Sequence, residues 1–325
     1  MGMQNFAPEF QTPEQYIIDI TYHIWEERGV GLIHQWYAAD SPVRTPHVVT
    51  NSVDAVVRHT LDTMHEFPDR ELLAEDVIIG DKTKGFYSSH RVRSTATHLG
   101  DGAFGPVTKR SITMLAIADC LCRDNQVVEE WLIRDQAAIA LQLGIEPEKY
   151  GQALGANNPD AYAIGNEAMR RRWVNPNGLA IIGDQTIANS IIQTYDVMWN
   201  EKNLQVMMEG YDRAVRFEGF SGQLCYGRSH TGNIFRGIMA SIPDGRFEPY
   251  HIIVHQQTEN AVRVALRWSY CGTHGGYGRF GEPGGSPLAI LAISHFELRD
   301  GLIKNEWVLM DETSVYAQMA AHHLT

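Results

Sequence analysis

At 325 residues and a net charge of −12, the chain lacks the basic surface of a nucleic-acid binder, so no nucleic-acid partner is expected. A hydrophobic content of 44% supplies ordinary cores, and at about 150 residues per domain the length predicts two domains. No apolar run reaches the roughly 18 residues that cross a membrane. Four cysteines are too few for a disulfide scaffold, and the opening MGMQNFAPEFQTPEQ has neither a basic start nor an apolar segment, so the expectation is a reduced, cytoplasmic protein without a leader.

Thr12-Pro13-Glu14 predicts a helix start, with threonine as N-cap and proline at the first helical position. After a break at Arg28-Gly29, a short helix is expected around Leu32–Tyr37. A third runs from near Ser52 to Glu66 and stops before Pro68. The period then changes to two, predicting strands near Glu75–Ile79, Phe86–His98, Ser111–Cys122 and Gln126–Asp135, the last two joined by a turn at Arg123-Asp124-Asn125. Helices followed by an antiparallel sheet give an α+β class. Residues 147–182, with Pro147, Pro159 and Pro176, predict a linker holding one short helix, and the Arg170-Arg171-Arg172 cluster on it is solvated or salt-bridged.

The second half repeats the first. Asp184-Gln185-Thr186 opens a helix reaching Trp199, and strands are expected near Glu248–Gln256, Ala261–Thr273, Leu288–Leu298 and Leu302–Asp311, with a two-residue hairpin at Asp300-Gly301. At a fixed offset of 176 (311 − 135) the pairs Arg91/Arg267, His98/His274, Gly100/Gly276, Trp131/Trp307 and Asp135/Asp311 coincide. In the helical part the offset is 174 (199 − 25), which aligns Trp25 with Trp199 and Tyr37 with Tyr211. The reading is two copies of one fold, residues 1–146 and 183–325, each with three N-terminal helices, a curved antiparallel sheet and its own core.

The Trp-x-x-x-Asp strand closes each copy. Residues four apart on a strand share a face, so Trp131 with Asp135, and Trp307 with Asp311, are read as a carboxylate beside an apolar wall, which raises its pKa. Gly100-x-Gly102-x-x-Gly105 and its second copy spell a dinucleotide fingerprint. Strands flank both and a proline follows, so they are read as glycine-rich strand connections. Cys120 and Cys122 face one way without a second cysteine pair, and no zinc is expected.

The Thr-His-x-Gly-x-Gly-x-Phe-Gly stretch (Thr97 to Gly105, Thr273 to Gly281) and the Glu-Trp-x-x-x-Asp closing strand together resemble the SnoaL-like polyketide cyclases, a branch of the nuclear transport factor 2-like superfamily. The resemblance covers both halves. It implies cone-shaped α+β barrels over an apolar pocket, a small-to-medium hydrophobic carbonyl substrate, no cofactor and no metal. It also implies that Asp135 and Asp311 act as acid/base in a cyclase, isomerase, dehydratase or hydrolase type of reaction. Sheet-to-sheet dimers in such folds imply an intrachain pseudo-dimer, with further homo-oligomers open. His98 and His274 either hydrogen-bond the substrate or brace a loop. Trp131, Trp307, Tyr37 and Tyr211 are pocket wall or core, and Trp268 and Tyr270 are bulkier wall residues in place of Val92 and Ser94. Departures at Ile242 and at Asp311-Glu312-Thr313 leave two alternatives: a ligand-binding protein without turnover, or one active domain fused to a structural copy.

Overall fold

A computed structural model describes residues 3–81, 84–174, 178–258 and 260–324, so Pro176 lies outside the described residues. The chain divides into two units, Met1–Glu146 and Pro147–Thr325. Among the described residues, no helix is long and apolar enough to cross a membrane.

In the first unit α1 spans Pro13–Thr21, with the Thr12 side chain accepting from Gln15 N at 3.1 Å. It buries Tyr16, Ile17 and Ile20, a helical face. It continues into a π-helical turn, Tyr22–Glu26, a rare conformation that recurs near functional sites. Next come α2 (Ile33–Trp36), the short strands β1 (Val43–Arg44) and β2 (Val49–Thr50), and α3 (Val53–Glu66). Strands β3 (Glu71–Asp81), β4 (Phe86–Thr97), β5 (Ser111–Arg123) and β6 (Gln126–Arg134) follow, then α4 (Gln136–Leu143). The sheet order is β2-β1-β6-β5-β4-β3. The turn between β5 and β6 is tight because Asp124 and Asn125 both take positive φ, 49° and 64°, the signature of a hairpin whose twist matches its strands.

The second unit opens with α5 (Pro147–Asn157), α6 (Pro159–Tyr162), α7 (Asn166–Arg171) and β7 (Ala180–Ile182). These occupy the stretch expected to be a linker with one helix. Gly151 and Gly155 let α5 lie directly on the last helix, since a Cβ at Gly155 would come within 2.2 Å of Ala317 O. Arg170 reaches Glu167 at 2.9 Å and Glu248 at 2.5 Å, in line with the salt-bridged reading of that cluster. Then come α8 (Gln185–Trp199), α9 (Met207–Gly210), β8 (Tyr211–Gly219), β9 (Gln223–Tyr226), α10 (Arg228–Ser241), β10 (Arg246–Thr258), β11 (Ala261–Thr273), β12 (Pro287–Arg299), β13 (Leu302–Met310) and α11 (Glu312–His322). The β8–β9 pair was not foreseen. The sheet order is β7-β10-β11-β12-β13-β8-β9.

Both sheets are α+β in setting but mixed, not wholly antiparallel. β1 runs parallel to β6, β8 parallel to β13 and β7 parallel to β10. The antiparallel centre was readable from hairpin turns. The parallel strands arrive from distant segments, for which alternation gives no pairing direction.

Candidate active site

The first unit encloses a cleft of about 650 Å³. Its floor is the sheet and its register sets three rows: Val92, Ala116 and Arg134; His90, Ala118 and Leu132; Ser88, Cys120 and Glu130. Of these all but Ser88 line the cleft directly. Helix α1 supplies Ile17, Ile20 and Thr21, and the π turn supplies Trp25. Tyr37 enters just after α2, and Arg70 and Leu72 from the approach to and start of β3.

Why Glu130 and not Trp131 faces the cleft follows from a β-bulge. Cys122 pairs with Val127 but Leu121 pairs with Glu129, so Val128 is extra and the alternation slips by one. Val127, Glu130, Leu132 and Arg134 therefore share the cleft face. Trp131, Ile133 and Asp135 fall on the opposite side. The second unit has the same slip: Leu298 pairs with Ile303 and Glu297 with Asn305.

Among the described residues, the one carboxylate lining the cleft is that of Glu130. Tyr37 Oη donates to its Oε2 at 3.1 Å. Burial pushes the Glu130 carboxyl above the usual carboxylate range, while the Tyr37 hydrogen bond and the Arg134 charge pull the other way. Burial and the neighbouring carboxylate hold the Tyr37 phenol well above its ordinary value, so it stays a donor. His90 is pushed down to about 4 by burial, which leaves it neutral near pH 7, with Nδ1 3.2 Å from Ser88 Oγ. Arg70 is pushed down to about 9, first by burial and then by Arg134 and Arg28, yet it keeps its charge near pH 7. The result is an apolar cleft holding a carboxyl group raised by burial, a neutral imidazole and two guanidinium groups. Such shifted groups in a cleft mark functional sites. Among the described residues no three His, Cys, Asp or Glu side chains gather around a common metal position.

The residues expected at the site distribute differently. Asp135 and Asp311 are buried N-caps. Asp135 accepts from Ala138 N at 3.0 Å, and Asp311 accepts from Thr313 N at 3.0 Å and Thr313 Oγ1 at 2.8 Å. An aspartate after a strand and before a helix satisfies an otherwise unpaired helix donor. Neither lines the cleft. Trp131 and Trp307 instead lie under guanidinium groups, Arg44 at 4.6 Å and Arg216 at 5.6 Å from the ring centres.

His98 and His274 brace the glycine loops. His98 Nδ1 accepts from Thr108 N at 3.3 Å, and Nε2 lies 3.4 Å from Glu66 Oε1. His274 Nδ1 accepts from Gly284 N at 3.4 Å. The glycines are there for closeness. A Cβ at Gly100 would sit 2.0 Å from His65 O, and one at Gly276 2.2 Å from Ala240 O. Antiparallel strands flank both loops, as the sequence implied. Arg91 is buried with Nε 2.9 Å from Glu75.

Of the expected binding residues in the first unit, Tyr37 does line the cleft. In the second unit Tyr211, Trp268 and Tyr270 belong to one continuous core. Where the first unit has Thr21, Val92 and Cys120, the second has Tyr195, Trp268 and Phe296 at the repeat offsets, and the Tyr195 ring packs edge-on against the other two. Glu306, the counterpart of Glu130, is fully buried there. It takes hydrogen bonds from Tyr195 Oη at 2.5 Å and Tyr211 Oη at 3.1 Å, and burial raises it to about 7. Arg134 becomes Met310 and His90 becomes Leu266.

Sequence reasoning passed over Glu130, His90, Arg70 and Arg134. The signal for Glu130 was present, since Glu130 and Glu306 repeat beside the tryptophans.

Residues 191–306 match the family described as SnoaL-like domain. No curated protein matches. Similar solved structures include IdmH from Streptomyces antibioticus, 19% identical over 42% of this chain and 100% of that one, with a TM-score of 0.37. TsrD from Streptomyces laurentii is 17% identical over 43% of this chain and 98% of its own, TM-score 0.37. A SnoaL-like polyketide cyclase from Agrobacterium tumefaciens is 13% identical over 42% of this chain and 100% of its own, TM-score 0.35.

Proposed function

With residues 191–306 a SnoaL-like domain, we propose that the chain is a tandem of two such domains, in which the first is a cofactor-free cyclase or isomerase and the second a structural copy. The observation that carries this is Glu130, a carboxylate on the floor of an apolar cleft, held by Tyr37 and lifted above its ordinary pKa. The substrate is a small-to-medium hydrophobic carbonyl compound. Ionised Glu130 accepts a proton from the carbon next to the carbonyl, and the electron pair moves to the carbonyl oxygen. The neutral His90 imidazole is the donor for that oxygen. The carboxylic acid so formed then returns its proton. In an isomerisation it goes to another carbon of the enolate. In an aldol closure it goes to the oxygen of the second carbonyl as the enolate carbon attacks.

A carboxylate whose proton affinity is raised by burial is a stronger base than one in water, which suits this task. The Tyr37 hydrogen bond fixes which oxygen faces the substrate. In the second unit the same carboxylate is enclosed by Tyr195 and Tyr211 with rings filling the space above the sheet, which supports a structural role there. The test is turnover of a ketone and lactone panel by the wild type, Glu130→Gln and Glu306→Gln. Loss of about 10²- to 10⁴-fold is expected for Glu130→Gln alone. Equal activity in the wild type and Glu130→Gln rejects the reading.

A further inference from the structure

Two arginines line the cleft, far more cation than a neutral carbonyl substrate needs. Arg70 is buried and Arg134 half-buried, and both open onto the same space. Among the described residues, neither guanidinium donates a hydrogen bond to a protein acceptor or sits in an ion pair. Arg134 shares the cleft with Glu130 without bonding to it, and Arg70 has only cationic groups, Arg134 and Arg28, acting on it. A buried guanidinium such as that of Arg70, with no bonded anion, is costly. Guanidinium also matches carboxylate in shape, accepting it through parallel N–H donors.

A second cavity of about 680 Å³ continues from the cleft, sharing Ile17, Thr21, Leu72, His90 and Val92 with it and running between α1 and β3. Its outer edge is apolar and open: Ile18, Tyr22 and Leu73 are 42%, 47% and 48% exposed. Asp19 and Glu26 also line this second cavity and not the cleft, Glu26 accepting from Leu72 N at 3.2 Å. The guanidinium groups thus line the cleft, and the two acidic side chains line the apolar cavity that continues from it.

We propose that the first unit binds an amphipathic anion, its carboxylate held between Arg70 and Arg134 and its aliphatic or acyl chain running out between α1 and β3. Asp19 and Glu26 in the second cavity disfavour a carboxylate there, and with it the reverse orientation. This names the substrate class for the reading above and rests on it only for turnover, since binding itself needs no chemistry.

The probes are octanoate and 1-octanol, titrated calorimetrically into the full chain. Octanoate binds about ten-fold or more tighter than octanol, the range of a charge-assisted pair. Affinity rises about three- to four-fold per methylene from hexanoate to decanoate. Arg70→Gln and Arg134→Gln each bring octanoate close to octanol, while Arg134→Lys retains part of the preference. Glu130→Gln strengthens octanoate binding by removing the carboxylate whose charge acts on Arg134. Equal affinity of octanoate and octanol in the wild type overturns the proposal, and this comparison needs no variant to fold. Undiminished octanoate binding in both arginine variants overturns it as well. If octanoate binds as stated but no carbonyl compound turns over, the catalytic reading falls and the anion site stands. If neutral ketones turn over through Glu130 while octanoate does not bind, the anion site alone falls.

Discussion

Replacing Glu306 by glutamine tests the reading of the second unit as a closed core. Glu306 Oε1 accepts from Tyr195 and Tyr211, while Oε2 is buried with no hydrogen-bond partner. Burial therefore lifts the carboxyl from 4.5 to about 7. A raised acid gives stability that is fully present below the unfolded value and is lost as pH rises through the folded one. The native state holds the proton that the unfolded chain releases. The gap of about 2.5 pKa units, at 1.36 kcal/mol each, comes to about 3 kcal/mol lost between roughly pH 4.5 and 7.5. Glu306→Gln keeps an oxygen for both tyrosines and has no proton to lose, so its stability does not change through this titration. Its amide nitrogen pays about 1–3 kcal/mol where Oε2 was. The difference of differences, wild type against variant at pH 5 and pH 8, removes every other titrating group. It is measured by hydrogen exchange of β11–β13 amides, which reports the second unit by itself. A value of about 3 kcal/mol supports the account. An identical pH slope in both proteins shows that Glu306 is hydrated or ionised in place and refutes it.

Other outcomes follow from single contacts. Asp135→Ala and Asp311→Ala each lose an N-cap and cost about 0.5–2 kcal/mol in chemical denaturation, whereas the asparagine variants, which still cap, cost little. Gly100→Ala forces a Cβ to 2.0 Å from His65 O. It lowers the melting temperature by several degrees, the scale of a few kcal/mol in a domain of this size. Tyr37→Phe removes the hydrogen bond that lowers the Glu130 pKa, so the rising limb of the pH–rate profile moves to higher pH. An unmoved limb would show that Tyr37 does not act on the base.

Much of the fold could be read along the chain because its turns and periods are local. Thr12-Pro13 starts α1, and Asp124-Asn125 and Asp300-Gly301 adopt the positive φ their hairpins require. The glycine loops pack as close backbone contacts. What escaped was non-local. The parallel strands β1 and β8 come from segments with no partner signal nearby, and α5 and α6 are held by α11, more than 140 residues away. The site itself turned on a single inserted residue. Alternation counted from Val127 leads to Trp131, but the bulge at Val128 delivers Glu130. Asp135 was legible as a strand-end carboxylate. Its role as a cap depends on α4 starting at the next residue, where burial and the Ala138 N–H engage it locally.

The central claim is that Glu130, not the aspartate four residues from Trp131, moves the proton. It is tested most directly by following exchange of α-protons for deuterium in a ketone substrate incubated with the wild type, Glu130→Gln and Asp135→Asn. The account predicts exchange in the wild type and in Asp135→Asn, and a loss of about 10²-fold or more in Glu130→Gln. Exchange that survives in Glu130→Gln and disappears in Asp135→Asn would contradict it.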